Sequence, residues 1–135
     1  MTNNPMTANE ESWLSLAVAG KVQVATDIWM FTLAPVTGAD DALLPQFTAG
    51  SHLTVITPAG MRRNYSLCSA PDDRRHYQIA VKREGNGRGG SRSIVDDVGV
   101  GAHLMVSTPR NNFMLDRRAK SFVFVAGGIG ITPIL

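Results

Sequence analysis

From Trp13 to Thr108 the apolar residues of this chain tend to fall on every second position, and glycine, proline and aspartate break the run repeatedly. That rhythm constrains the fold more than any other feature. A period of two sends successive side chains to opposite faces of an extended backbone, so it specifies strands buried on one side. Leu14, Leu16 and Val18 alternate with Ser15 and Ala17, and Val22 and Val24 continue the pattern. Ile28–Leu33 is rich in β-branched and aromatic residues and stops at Ala34-Pro35; Val36–Gly50 reads as a long connection with Gly38 and Pro45 as punctuation. His52–Thr57, closed by Pro58-Ala59-Gly60, gives a third strand, Arg62–Leu67 a fourth, and His76–Arg83, with Tyr77, Ile79 and Val81 on one face, a fifth. Gly85-Asn86-Gly87-Arg88-Gly89-Gly90 leads into a short helix that starts near Ser91, runs through Ile94 and Val95 to Val98, and ends at Gly99 and Gly101. His103–Thr108, ended by Pro109, is a sixth strand. Six short strands with one short helix predict an all-β domain in the form of a small antiparallel barrel.

The last segment follows a different rule. Ser121-Phe-Val-Phe-Val-Ala126 is continuously apolar, the mark of a strand buried on both faces, and it runs into Gly127-Gly128-Ile129-Gly130. A buried strand followed by a glycine turn is how a nucleotide-binding parallel sheet begins. Such a sheet needs more strands than the residues up to Leu135 allow. The expected organisation is a disordered leader at 1–11, a barrel domain at 12–118, and the first strand of a truncated α/β nucleotide-binding domain at 119–135. The length of 135 residues suits one ordinary domain, and 44% apolar with 18% charged residues excludes a disordered chain.

Cys68 is the single cysteine, which excludes a disulfide framework, a cysteine zinc site or an iron–sulfur cluster held within this chain, and fits a reducing compartment. His52, His76 and His103 lack metal-ligand spacing. Met1–Glu11 has no signal-peptide core, and Ser121–Leu135 is shorter than a membrane span and interrupted by glycines and Pro133. A cytoplasmic protein with no membrane partner is expected. Cys68 reads as a small buried hydrophobe, Trp13, Trp29 and Phe31 as core, and Asp96-Asp97 as a solvated helix end.

Charge is unevenly placed. Met1–Met61 carries a net −4, Arg62–Arg92 a net +5 and the remainder +1. The middle third is where an anion would bind, although a basic solvated surface has the same composition. Seven of the thirteen glycines fall in the clusters 85–90 and 127–130. The first cluster precedes a helix N-terminus, which directs free N–H groups at a phosphate, and Arg88 adds a charge-assisted contact. A flexible hairpin loop is the alternative. In Arg63-Asn64-Tyr65-Ser66, strand alternation puts Arg63 and Tyr65 on one face and leaves Ser66 to point across it or to donate through its backbone. This grouping suits a flat heteroaromatic ligand bearing an anion, or equally a surface strand with a packed tyrosine.

Taken in order, Arg63-x-Tyr65-Ser66-Leu67, Ala80-Val81-Lys82-Arg83, Gly87-Arg88-Gly89-Gly90-Ser91 and Ala126-Gly127-Gly128-Ile129-Gly130-Ile131-Thr132-Pro133 resemble the ferredoxin–NADP reductase superfamily. Within it they are most similar to the phthalate dioxygenase reductase and vanillate demethylase reductase group. The resemblance covers nearly the whole chain from Trp13 onward. It implies a six-stranded Greek-key flavin-binding barrel. By the same resemblance Arg63 contacts the flavin phosphate, Asn64 belongs to the flavin-lining strand, Tyr65 packs on the isoalloxazine, and Ser66 hydrogen-bonds near the reactive N5 as the catalytic position. Ala80, Val81 and Lys82 match a second flavin-lining strand. Gly87, Arg88, Gly89, Gly90 and Ser91 match the phosphate turn. Gly127, Gly128 and Gly130 match the pyrophosphate site of the nicotinamide cofactor, and Thr132 the position reaching back to the flavin.

The implied cofactor is FMN, with FAD as the alternative; the short turn leading straight into a helix favours a terminal phosphate. NAD(P)H would be the electron donor. The parent reductase would hold a two-iron two-sulfur cluster outside this chain, and a ferredoxin-type iron–sulfur domain or terminal oxygenase would accept the electrons. A non-catalytic flavin-binding fragment is one rival reading. The other is a basic barrel that binds single-stranded nucleic acid, which leaves the Gly-Gly-Ile-Gly-Ile-Thr-Pro ending unexplained. No nucleic-acid partner is expected.

Overall fold

The period-two pattern reappears as burial in the computed structural model, which describes residues 12–36 and 42–111. The strands are β1 (Trp13–Ala25), β2 (Ile28–Pro35), β3 (Ser51–Ile56), β4 (Arg62–Ser66), β5 (Tyr77–Lys82), β6 (His103–Ser107) and β7 (Arg110–Asn111), with the helix α1 (Gly90–Asp97) between β5 and β6. Leu16 and Val18 of β1, Phe31 and Leu33 of β2, Leu53 and Val55 of β3, Tyr77, Ile79 and Val81 of β5, and Leu104 and Val106 of β6 form one buried cluster. Burying each large side chain contributes about 1.5–3 kcal/mol.

All strand pairs are antiparallel, in the order β4-β3-β6-β1-β2-β5, with β7 pairing β3 off this path. The sequence neighbours β3 and β4 pair with each other, and β3 sits beside β6 rather than β2, which is the Greek-key order. Just past β4, Leu67 bridges Ile79 of β5, and the Cys68 N–H donates to the Gln78 carbonyl at 2.8 Å. This seam brings the two outer strands together and curls the sheet into the expected barrel.

As the alternation through Val22 and Val24 predicts, the first strand runs on for 13 residues, with irregularities between Val18 and Gly20 and between Gln23 and Ala25 that keep it paired to β2 through the lapses in alternation. Other local details differ from the sequence reading. A two-residue seventh strand follows Pro109. Phe31 is fully buried and Trp29 packs against the core, but Trp13 is only half-buried, its ring 5.2 Å from the Arg62 guanidinium. Cys68 is likewise only half-buried. Among the described residues, no helix is long and apolar enough to cross a membrane. The readings made on 1–11, 112–118 and 119–135, including Gly127, Gly128, Gly130 and Thr132, lie outside the described residues.

Beside the seam lies α1, with Ile94 and Val95 buried. An eight-residue helix is marginal alone, so tertiary contacts must set its direction. Arg83, just past β5, grips Asp96 with Nε and Nη2 at 2.9 Å each, so the acidic helix end is exposed but ion-paired. Ser93 Oγ donates to the Gly90 carbonyl at 2.8 Å and accepts from the Ala59 N–H at 3.3 Å, joining α1 to the β3–β4 turn.

Candidate functional site

The β3–β4 register sets the two faces of the Arg-x-Tyr-Ser strand. Val55 is opposite Arg63 and Leu53 opposite Tyr65, while Thr54 is opposite Asn64 and His52 opposite Ser66. Directly opposed residues share a face, so Arg63 and Tyr65 lie on the core side and Asn64 and Ser66 on the other. Asn64 is exposed and committed within the sheet, its Oδ1 accepting from the Thr54 hydroxyl at 2.7 Å. Among the described residues the Ser66 hydroxyl has no hydrogen-bond partner. Tyr65 is half-buried; desolvation pushes its ionisation upward, against the opposing pull of the nearby Arg63 charge.

Arg63 reaches along this face to the first residue of α1. A Cβ on Gly90 would stand 3.0 Å from Arg63 Nε, 3.2 Å from Cγ and 3.3 Å from Cζ. Only a residue without a side chain permits this approach. The guanidinium is steadied by Nη1 donating to the Arg62 carbonyl at 2.8 Å and by a weak contact of Nη2 with Met61 Sδ at 3.6 Å. The helix it meets is uncapped. Gly89 occupies the N-cap at φ 96°, no side chain among the described residues caps the leading N–H groups, and the first turn has no acidic residue. The leading N–H groups of a helix have no intrahelical acceptor, so these donors and the macrodipole favour an anion there.

The turn before the helix is tied to it. The Glu84 N–H donates to Ser91 Oγ at 3.0 Å, the Gly87 N–H to the Glu84 carbonyl at 3.3 Å, and Arg92 Nη1 to the Gly85 carbonyl at 3.1 Å. Ser91 Oγ accepts in that bond, so its own proton remains to donate. Arg88 is exposed and, among the described residues, makes no hydrogen bond or ion pair. Lys82 is exposed, with its ammonium 3.9 Å from Glu84 Oε1. Val81 is fully buried opposite Trp29, so its side chain belongs to the core and only its backbone could line a ligand. Ala80 is buried, and its N–H bonds the Cys68 sulfur, which also contacts the Ser66 carbonyl at 3.7 Å. Burial raises the Cys68 thiol above its ordinary range.

The structure therefore brings Arg63, Gly89, Gly90 and Ser91 to one end of β4, and Ser66, Cys68 and Ala80 to the other, with Tyr65 between. Arg63 and Ser66 are roughly 10 Å apart along an extended strand. The Arg63 guanidinium, free helix N–H groups and a glycine surface suit a phosphate, and the strand beyond suits a flat ring. Sequence reading missed Met61, Ser93 and Arg92 as supports of this end. Ser93 could have been found from its place on the first turn of a helix beginning with glycine.

A family model described as an oxidoreductase FAD-binding domain matches residues 15–115. The phthalate dioxygenase reductase of Burkholderia cepacia is 54% identical over 129 residues, covering 96% of this chain and 39% of that protein. The vanillate O-demethylase oxidoreductase of Pseudomonas putida is 43% identical over 122 residues, covering 90% of this chain and 38% of its own length. A solved phthalate dioxygenase reductase, described as a modular structure for electron transfer from pyridine nucleotides to 2Fe-2S, superposes with a TM-score of 0.85 at 55% identity, over 90% of this chain and 37% of that one. The chain spans about two-fifths of the length of these relatives.

Proposed function

This chain belongs to the oxidoreductase FAD-binding domain family, and on that premise we propose that it is the flavin-holding part of an oxygenase reductase and binds FMN with the phosphate at the N-terminus of α1. The single observation that carries this reading is the Arg63 side chain laid against Gly90 at the head of an uncapped helix. Bound flavin would supply hydride acceptance and stepwise electron release, while the protein supplies position and electrostatics. Arg63 and the leading N–H groups of α1 bind the phosphate, and Arg88 and the Ser91 hydroxyl close over it. Tyr65 packs on the isoalloxazine. The Ser66 hydroxyl, without a partner among the described residues, donates to the ring near N5. Ala80 and the backbone of Val81 and Lys82 line its far side, and Asn64 holds β4 to β3 through Thr54.

FMN is preferred to FAD because the Gly87–Ser91 turn closes straight into the helix and suits a terminal phosphate. In the parent protein NAD(P)H is the donor, with Gly127, Gly128, Gly130 and Thr132 at its binding end. A two-iron two-sulfur domain and then a terminal oxygenase are the acceptors. Support for this route is the similarity to phthalate and vanillate oxygenase reductases.

Titration of the flavin-free protein with FMN, FAD and riboflavin tests the proposal. FMN should bind most tightly. Arg63→Ala and Arg88→Ala should weaken FMN roughly tenfold to a hundredfold, the worth of one charge-assisted hydrogen bond, and leave riboflavin nearly unchanged. Equal losses for FMN and riboflavin would overturn the phosphate placement, and tighter binding of FAD would overturn the choice of FMN.

A further inference from the structure

The last turn of α1 contains no basic residue. Its positive charge comes instead from the far side of the sequence. Lys21 of β1 donates from Nζ to the Val95 carbonyl at 2.5 Å and to the Val98 carbonyl at 2.8 Å, across 74 and 77 residues of chain. The ammonium lies 5.4 Å from the Trp29 ring centre and 5.5 Å from that of Phe31, the residue directly opposite Lys21 in the β1–β2 register. Phe31 is fully buried, so Lys21 leans inward at the end of the barrel, beneath the helix C-terminus. A half-buried ammonium needs partners, and two carbonyls and two aromatic faces provide them. Asp96, already paired with Arg83, also feels the Lys21 charge.

We propose that Lys21 is a positioning residue for the anion site at the opposite end of α1. The proposal rests on the flavin-phosphate reading above. A two-turn helix is nearly rigid, so an error at one end becomes an error at the other. Lys21 fixes the C-terminal carbonyls, Arg83 fixes Asp96, and the first turn then meets Arg63 with its N–H groups facing the phosphate. The lysine also places a cation where the macrodipole favours one, leaving the other end free for the anion. A lysine that merely stabilised the barrel would affect phosphorylated and unphosphorylated flavins alike; a lysine that aims α1 affects only the ligand carrying the phosphate.

The test compares FMN and riboflavin affinities, by flavin fluorescence quenching, in Lys21→Met, Lys21→Arg and Lys21→Gln, with Arg63→Ala as control and thermal unfolding of each flavin-free protein alongside. Lys21→Met should raise the FMN dissociation constant about fivefold to tenfold and that of riboflavin less than about twofold, the range expected of a partly buried helix-terminal cation. Lys21→Arg should restore most of the loss, and Lys21→Gln little of it. Equal weakening of both flavins, or unaltered FMN binding in a folded variant, would overturn the proposal. Should the substitutions unfold the chain, nitrogen-15 NMR of the wild-type lysine ammonium decides: FMN should shift the Lys21 Nζ signal and riboflavin should not, and an unmoved signal overturns the proposal. If Arg63→Ala discriminates between the flavins and Lys21→Met does not, the phosphate reading stands and only the role of Lys21 falls. If Arg63→Ala weakens both equally, the phosphate reading fails and the role of Lys21 fails with it.

Discussion

Replacing Gly90 with alanine adds one methyl group where the Arg63 side chain now lies. That carbon would stand 3.0 Å from Nε and 3.2 Å from Cγ, against an ordinary contact of about 3.5–4.0 Å. Because Cγ is among the crowded atoms, swinging the tip of the side chain does not relieve the contact; the Arg63 side chain must draw back from the helix by a few tenths of an ångström along its length. Two effects on folding oppose each other. Alanine improves on glycine by up to about 1 kcal/mol within a helix. Overpacking costs about 1–3 kcal/mol where neighbours cannot yield, and an arginine at the edge of the fold can yield. Net stability should therefore change by no more than about 1 kcal/mol. Binding has no such offset: a guanidinium–phosphate contact is worth about 1.5–3 kcal/mol, and drawing the guanidinium back weakens it in part. Calorimetric titration of Gly90→Ala should show FMN weakened several-fold, less than in Arg63→Ala, riboflavin within about twofold, and a melting temperature within a few degrees of wild type. Undiminished FMN binding by the folded variant would refute the claim that Arg63 acts from its place against Gly90.

Other outcomes follow from other parts of the molecule. Ser66→Ala should weaken FMN and riboflavin by the same factor, since its contact is with the ring; a loss confined to FMN in parallel titrations would contradict that assignment. Ile79→Ala, at the seam where Leu67 bridges β5, should cost about 2–5 kcal/mol in urea unfolding, and an unchanged midpoint would mean the seam does not hold the barrel. Tyr77 donates to the Pro45 carbonyl, and desolvation raises its hydroxyl from 10.0 to about 12, partly opposed by Arg74. The folded chain thus keeps a proton that the unfolded chain releases, so stability should fall as pH rises from about 10 to about 12. Tyr77→Phe should flatten that part of the stability–pH curve, and an unchanged slope would show that Tyr77 is not its source.

Strands whose inner residues obey a strict period of two were legible from sequence. Tyr77, Ile79 and Val81 all reach the core, as their spacing requires, although the small Ala80 between them is buried on the other face. The helix was legible to within a residue because glycines bound it at both ends. The reach of β1 beyond Gly20 is legible in the alternation of Val22 and Val24, but not that both are exposed there, since that half of the strand is held by pairing to β2 rather than by its own burial. Strand β7 has only two residues, too few to carry a period. Residue type alone puts Trp13 in the core, yet its ring faces a charged Arg62 from a distant strand. Within the site, the chemistry of Arg63, Tyr65 and the glycine turn could be read locally, but their meeting could not. Val81 stands inside the core and Asn64 is spent on Thr54, facts fixed by β2 and β3 rather than by neighbours in sequence. Lys21 lies some 70 residues from the helix it holds, with no local signal to connect the two.

The central claim is tested most directly by a crystal structure of the chain soaked or co-crystallised with FMN. The account places the phosphate within about 2.7–3.2 Å of the Gly90 and Ser91 N–H groups and of the Arg63 guanidinium, with the ring against Tyr65 and Ser66. A phosphate bound elsewhere, with Arg63 and the head of α1 left facing solvent, would contradict it.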